Sequence, residues 1–167
     1  MKYSIVYSSK TGNTAKLAEV AKKTLPEGDC AYYGTPDGFA DETDCIFVGF
    51  WTEKGKCDEV MTGFLKGLQN KQLFIFGTTG FGGDKEYQDM ILAEVKTNLD
   101  SSNTVVGSYV CQGEMPEMIG QRYESMLKEN PEDEKIKMFF EKYKAGIGHP
   151  DATDLDGFVK VLQSAHK

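Results

Sequence analysis

Apolar residues fall along this chain in short continuous runs, and stretches of helical period separate those runs. Tyr3, Ile5, Val6 and Tyr7 make 1–8 a strand, and the run is too densely apolar for a sheet with one wet face. Leu17, Ala18, Val20 and Ala21 then set a helical period, which predicts a helix over 14–24 that Pro26 stops. Further strands are predicted at 29–33, 44–50, 72–76 and 104–111, and helices at 58–68, 86–98 and 153–165. Only a short connection separates the second and third strands, so a helix there would be abbreviated.

Strands buried on both faces and alternating with helices predict an α/β fold, a doubly wound five-stranded parallel sheet with a helix layer on each side. Right-handed crossovers leave few topologies for such a sheet. After the fifth strand the alternation lapses. Residues 113–150 carry one helical stretch with Met115, Met118, Ile119, Tyr123, Met126 and Leu127, and a second with Ile136, Met138, Phe139, Phe140 and Tyr143. The segment reads as a helical insertion between strand 5 and the last helix, packed on the sheet edge or over the ligand face. A single domain spanning 1–167 is expected, because this length buries a sizeable core without a second one.

The polar interruptions carry the chemistry. Between the first strand and the first helix stand Ser9, Lys10, Thr11, Gly12, Asn13 and Thr14. A strand, a tight polar turn and a helix N-terminus make an anion site, because the first helical N–H groups lack partners and the helix dipole favours negative charge. The hydroxyls add donors for phosphate oxygens. The turn is neither the nucleoside-triphosphate loop G-x-x-x-x-G-K-[ST] nor the dinucleotide G-x-G-x-x-G, so it implies no Mg²⁺ and no triphosphate. A second reading of the same residues is a turn followed by a helix cap at Asn13 or Thr14.

Two further loops leave the sheet on the same side, where ligands bind in folds of this kind. One carries Trp51, Thr52, Glu53 and Gly55, and the other Thr78, Thr79, Gly80, Phe81, Gly82 and Gly83, followed by Tyr87. An aromatic on each loop could sandwich a flat ring, and the glycines would admit backbone groups to its edge. The competing readings are a plug at a strand end for Trp51, packing on the insertion for Phe81, and plain turns for the glycines.

Composition narrows the classes. Net charge is −7, from 26 acidic and 19 basic side chains, which disfavours nucleic acid and anionic membrane and suits a basic protein surface. Cys30, Cys45, Cys57 and Cys111 are widely spaced and only His149 and His166 offer imidazoles, so no zinc or iron–sulfur site is expected. No apolar run is long enough for a membrane span, and no leader is discerned, so a cytoplasmic protein is expected.

Ser9-x-Thr11-Gly12-Asn13-Thr14 matches the phosphate signature [ST]-x-T-G-x-[ST] of the flavodoxins, and the chain resembles that family over 1–111 and the closing helix. The resemblance implies a flavodoxin-like sheet of order 2-1-3-4-5 with FMN at the switch point. It places the 5′-phosphate in the turn from Ser9 to Thr14 and the isoalloxazine between the Trp51 loop and the 78–87 loop. It also implies that Gly55 lets the Lys54–Gly55 peptide turn its carbonyl toward flavin N5–H. Phe81 or Tyr87 would take the second stacking position, where flavodoxins commonly use a tyrosine.

The start of the insertion, Cys111-Gln112-Gly113-x-Met115-Pro116, departs from the usual flavodoxin connection. It resembles a flavodoxin-like subgroup of anaerobic bacteria, some of whose members accompany flavin- and iron–sulfur-dependent reductases such as one acting on bilirubin. The function so implied is an FMN electron carrier that exchanges electrons with partner reductases bearing basic patches. Two alternatives stand beside it: an NAD(P)H-dependent FMN or quinone reductase of the same fold, and an interaction protein that has lost FMN.

Overall fold

A computed structural model describes residues 1–165; His166, the second candidate imidazole, lies outside them. The chain runs β1 (Tyr3–Tyr7), α1 (Asn13–Thr24), β2 (Cys30–Gly34), β3 (Cys45–Glu53), β4 (Lys56–Cys57), α2 (Glu59–Lys66), β5 (Gln72–Thr79), α3 (Lys85–Lys96), β6 (Thr104–Gln112), α4 (Glu117–Glu129), α5 (Glu134–Gly146) and α6 (Ala152–Ala165). The connection from β2 to β3 carries a single 3₁₀ turn, Pro36–Gly38, in place of a helix.

The sheet has six strands where the sequence predicts five. β2, β1, β3, β5 and β6 are parallel neighbours in that order, and β4 pairs antiparallel with β3 alone. Without β4, the order is the 2-1-3-4-5 that the resemblance implies. β4 escapes prediction because two residues carry no period. β3 and β5 also outrun their predicted ends, through Glu53 and Thr79. Polar Thr52, Glu53, Thr78 and Thr79 end the apolar runs but not the extended backbone.

Period-two alternation divides the core into two layers. Tyr3, Ile5, Phe47, Phe74 and Phe76 face α1 and α6, where Leu17, Ala18, Phe158 and Leu162 are buried against them. Val6, Ile46, Val48, Phe50, Leu73 and Ile75 face α2 and α3, where Met61, Leu65, Ile91 and Val95 meet them. Both layers are aromatic-rich, and Phe158 packs 5.2 Å from Phe76 and 5.3 Å from Tyr109, centroid to centroid.

At the amino ends of β3 and β5, the Lys71 ammonium lies 2.6 Å from Asp41 and donates to the Thr43 carbonyl at 3.0 Å. The carboxyl ends stay open. There α4 and α5 pack on each other, and the entry of the insertion bends over the sheet. Gly113 donates to the Thr79 carbonyl at 2.9 Å, and Glu114 donates to the His149 carbonyl at 2.8 Å. The insertion therefore lies over the ligand face, one of its two expected positions. Among the described residues no helix is long and apolar enough to cross a membrane.

Candidate functional site

The phosphate turn is built by Gly12 and Ser9. Gly12 caps α1 with φ +95°, a left-handed backbone that L side chains resist, so the chain can swing directly from β1 into the helix. The Ser9 hydroxyl accepts from Gly12 N at 3.1 Å and from Ala15 N at 3.2 Å, which folds the turn back on itself. Gly12 itself has no side chain to cap the helix, and Ser9 takes only the N–H groups of Gly12 and Ala15, so the N–H groups of Asn13 and Thr14 keep the anion-binding character of a helix N-terminus.

The motif's side chains divide between two duties. Lys10 and Thr11 are exposed beside the turn. Thr14 is fully buried, and its hydroxyl donates to the Phe50 carbonyl at 2.9 Å while lying 3.0 Å from the Thr78 hydroxyl. The Asn13 amide reaches across the cleft and donates to the Glu114 carbonyl at 2.8 Å.

Trp51 lies within β3, beyond the strand end that the sequence predicts, because its ladder with β5 continues to the pair Trp51–Thr78. It is half-buried, and the Lys10 ammonium sits 5.4 Å from its ring centroid. After Trp51 the chain makes a hairpin. Thr52 pairs with Cys57 and Glu53 with Lys56, which leaves Lys54 and Gly55 as a two-residue turn with φ +52° and +79°. Positive φ at both positions marks a type I′ turn, whose twist matches that of the flanking strands. The Thr52 hydroxyl donates to the Thr78 carbonyl at 2.8 Å and ties the hairpin to β5.

Asp58 holds this rim from behind. It is 1% exposed. Its carboxylate accepts from Trp51 N at 3.0 Å and from Met61 N at 3.1 Å, so one side chain fixes the tryptophan backbone and caps α2. Burial pushes its pKa up, and the N–H groups of Met61 and Trp51 and the Ser8 hydroxyl oppose the rise. Burial likewise pushes the thiols of Cys57 and Cys111 up to about 12, so neither is a ready thiolate at neutral pH.

One cleft at the carboxyl edge brings together Lys10, Thr11, Asn13, Thr14, Trp51, Thr52, Glu53, Thr78 and Gly80 from the predicted set. An adjoining hollow, which shares Thr52 and Gly80, takes in Gly55, Phe81 and Tyr87. Ser9, Gly12, Thr79, Gly82 and Gly83 line neither space. Ser9 and Gly12 shape the turn, and Thr79 donates its hydroxyl to the Gly82 carbonyl at 2.6 Å, which closes the loop after β5. Gly83 faces Gln112, whose Oε1 would lie 2.8 Å from a Cβ there.

The cleft also holds Gly113, Glu114, Met115, Pro116 and Ile119, which the sequence places in the insertion and not among the site residues. Their signal in the sequence is positional: they follow a parallel strand at its carboxyl end, like the three loops of the predicted site. Elsewhere, His149, Asp151 and Asp154 form a group close enough to share a cation. Their hydrogen bonds are those of a helix cap: Asp151 accepts from Asp154 N and Asp154 from Asp151 N, both at 2.9 Å, with His149 Nδ1 2.6 Å from Asp154.

Comparison with known proteins agrees with this architecture. A flavodoxin domain matches residues 4–163. A flavodoxin-like domain-containing protein BilS of Clostridium symbiosum is 38% identical, over 99% of this chain and 96% of its own length. BilS of Clostridioides difficile is 30% identical, over 93% of this chain and 90% of its own. Among solved structures, a WrbA-like flavodoxin of Agrobacterium tumefaciens has a TM-score of 0.55 at 14% identity, covering 99% of this chain and 97% of that one. At such low identity the structural match speaks for the fold alone. With a domain match from residue 4 to residue 163 and a relative 38% identical along nearly the whole chain, the protein belongs to the flavodoxin family.

Proposed function

We propose that the protein binds FMN and carries electrons between partner proteins in the cytoplasm. One observation carries the reading: the phosphate turn of the family signature and the half-buried face of Trp51 border a single cleft at the carboxyl edge of the sheet. The donor set suits FMN. A helix N-terminus, a hydroxyl at Thr11 and an ammonium at Lys10 fit a phosphomonoester without a metal, and an aromatic wall fits a tricyclic ring.

Bound FMN would supply the one- and two-electron chemistry. In this reading the chain's part is binding, orientation and control of access. The N–H groups of Asn13 and Thr14 and the Thr11 hydroxyl hold the phosphate. Trp51 stacks on the ring, with its backbone fixed by Asp58. The Lys54–Gly55 turn presents backbone groups to the ring edge. An acidic chain with net charge −7 suits transient, salt-sensitive contacts with basic surfaces of a donor and an acceptor.

Calorimetry of the stripped protein with FMN tests the binding step. Exothermic one-to-one binding with loss of flavin fluorescence is expected, and absence of both overturns the reading. NADPH added to the loaded protein under argon then separates a carrier from a reductase. The absorbance of oxidised flavin should persist until a partner reductase is added, and rapid bleaching by the protein alone would identify a reductase instead.

A further inference from the structure

We propose that the second face of the flavin ring is walled by Met115 and Ile119 of the insertion, and that Asn13 sets this wall from the phosphate turn; the inference rests on the FMN reading above. Phe81, one of the two aromatics that the sequence offers for that duty, is engaged elsewhere. Phe81 packs edge-on against Phe139 of α5, with centroids 5.0 Å apart, and lies 6.2 Å from Tyr87. The Lys142 ammonium is 4.9 Å from the Phe81 ring. Phe139 in turn meets Tyr123 of α4 at 5.9 Å. Phe81 thus serves as an anchor between the 80–84 loop and the helical hairpin.

Met115 and Ile119 instead border the same cleft as Trp51, and both are half-buried. Space for the thioether is made by Gly80, where a Cβ would stand 2.5 Å from Met115 Cγ. A thioether against an aromatic face is a favourable contact, and an unbranched Met adapts to a ring that changes shape with charge.

The wall is fixed rather than loose. Just before Met115, Gly113 is bonded to the end of β5 and Glu114 to the end of the insertion at His149. The third tether is the Asn13 amide on the Glu114 carbonyl at 2.8 Å, with Gly113 so close that a Cβ would lie 2.7 Å from the same Asn13 Nδ2. Asn13 is therefore a positioning residue for the ring side as well as a member of the phosphate turn. One side chain joins the two halves of the site.

Methionine oxidation reads this wall directly. The protein is treated with hydrogen peroxide in the dark, with and without saturating FMN, and each methionine is quantified by mass spectrometry. FMN should slow oxidation of Met115 by at least about fivefold, because susceptibility follows exposure. Met118, 68% exposed on α4, should change little and serves as the internal control. Asn13→Ala saturated with FMN should lose the protection of Met115, whereas Thr11→Ala saturated likewise should keep it. Met115→Ala should raise the FMN dissociation constant about three- to tenfold, the scale of a sulfur–aromatic contact.

Loss of flavin fluorescence without protection of Met115 overturns the wall and leaves the FMN reading standing. Protection that survives in Asn13→Ala overturns the tether. Failure of the wild-type chain to quench FMN overturns the function itself.

Discussion

The two halves of the cleft are made in opposite ways. The phosphate turn is local: the N–H groups of Gly12 and Ala15 both donate to the Ser9 hydroxyl within seven residues, and the geometry follows from one glycine and one hydroxyl. The ring side is assembled from distant segments. Trp51 comes from β3, Gly80 from the loop after β5, and Met115 and Ile119 from the insertion, held by Asp58, Thr52 and Asn13. A local motif can be damaged at its ligand contacts while the fold survives. An assembled wall depends on its supports, so damage there should reach stability as well as affinity.

Asp58→Ala should have the largest effect. It removes the α2 cap and leaves the N–H groups of Trp51 and Met61 without their acceptor. A loss of about 3 kcal/mol is expected in urea unfolding, a large share of a typical domain's stability. The pH dependence has a defined sign. Burial raises the Asp58 pKa in the folded state, so the native protein keeps its proton to higher pH than the unfolded chain does. The folded state then binds more protons over that interval, and stability falls as pH rises from the unfolded value, near 4, through the raised folded value. Below the interval the contribution is fully present. Unfolding measured across it should show a decline in the wild type that Asp58→Asn flattens; an unchanged slope would remove Asp58 from this role.

Trp51→Ala should weaken FMN by about 2 kcal/mol, close to 30-fold, through lost stacking and burial. Stability should fall less than in Asp58→Ala, because the backbone bonds of residue 51 remain. Equal losses of stability in the two variants would mean that the tryptophan is a structural plug. The paired threonines sharpen the same contrast within one motif. Thr11→Ala should cost about 1.5 kcal/mol of FMN affinity, the value of a hydrogen bond to a charged group, and change unfolding by less than about 0.5 kcal/mol. Thr14→Val should reverse the pattern, with about 1 kcal/mol lost from stability, since its hydroxyl serves Phe50 and Thr78 in a buried setting. A large affinity loss in Thr14→Val would put that hydroxyl on the phosphate.

The same contrast explains what could be read from sequence. The five parallel strands were legible because a strand buried on both faces is a continuous apolar run, as in Cys45–Phe50 or Leu73–Phe76. The phosphate turn was legible because its residues are contiguous. Trp51 and Gly80 were found because each follows such a run. The polar ends of β3 and β5 were missed, because Thr52 and Thr78 earn their extended backbone from neighbouring strands rather than from their own pattern. Met115 and Ile119 were read as members of an amphipathic stretch, since a side chain facing a ligand cleft and one facing a core have the same hydrophobic period. The buried role of Asp58 is not legible in the sequence, because nothing in one sequence tells a buried cap from an exposed carboxylate.

The smallest expected effect lies at the tip of the ring side. Lys54 holds φ +52°, and L side chains pay roughly 1–2 kcal/mol for that region unless a short polar group bonds the backbone locally. Type I′ turns favour Asn followed by Gly for this reason. Lys54→Asn should therefore stabilise the protein by about 0.5 kcal/mol, since the hairpin partners Glu53 and Lys56 are retained and the turn geometry is only made easier. Gly55→Ala tests the neighbouring position from the other side. Nothing lies within 4 Å of a Cβ there, so its expected loss of about 1 kcal/mol would come from φ +79° alone. Thermal unfolding of the two variants, each with and without FMN, separates backbone strain from ligand contact. If FMN leaves the difference from wild type unaltered, the turn shapes the hairpin only; if FMN enlarges it, the Lys54–Gly55 peptide meets the ring. A stabilised Gly55→Ala would contradict the left-handed geometry on which both predictions stand.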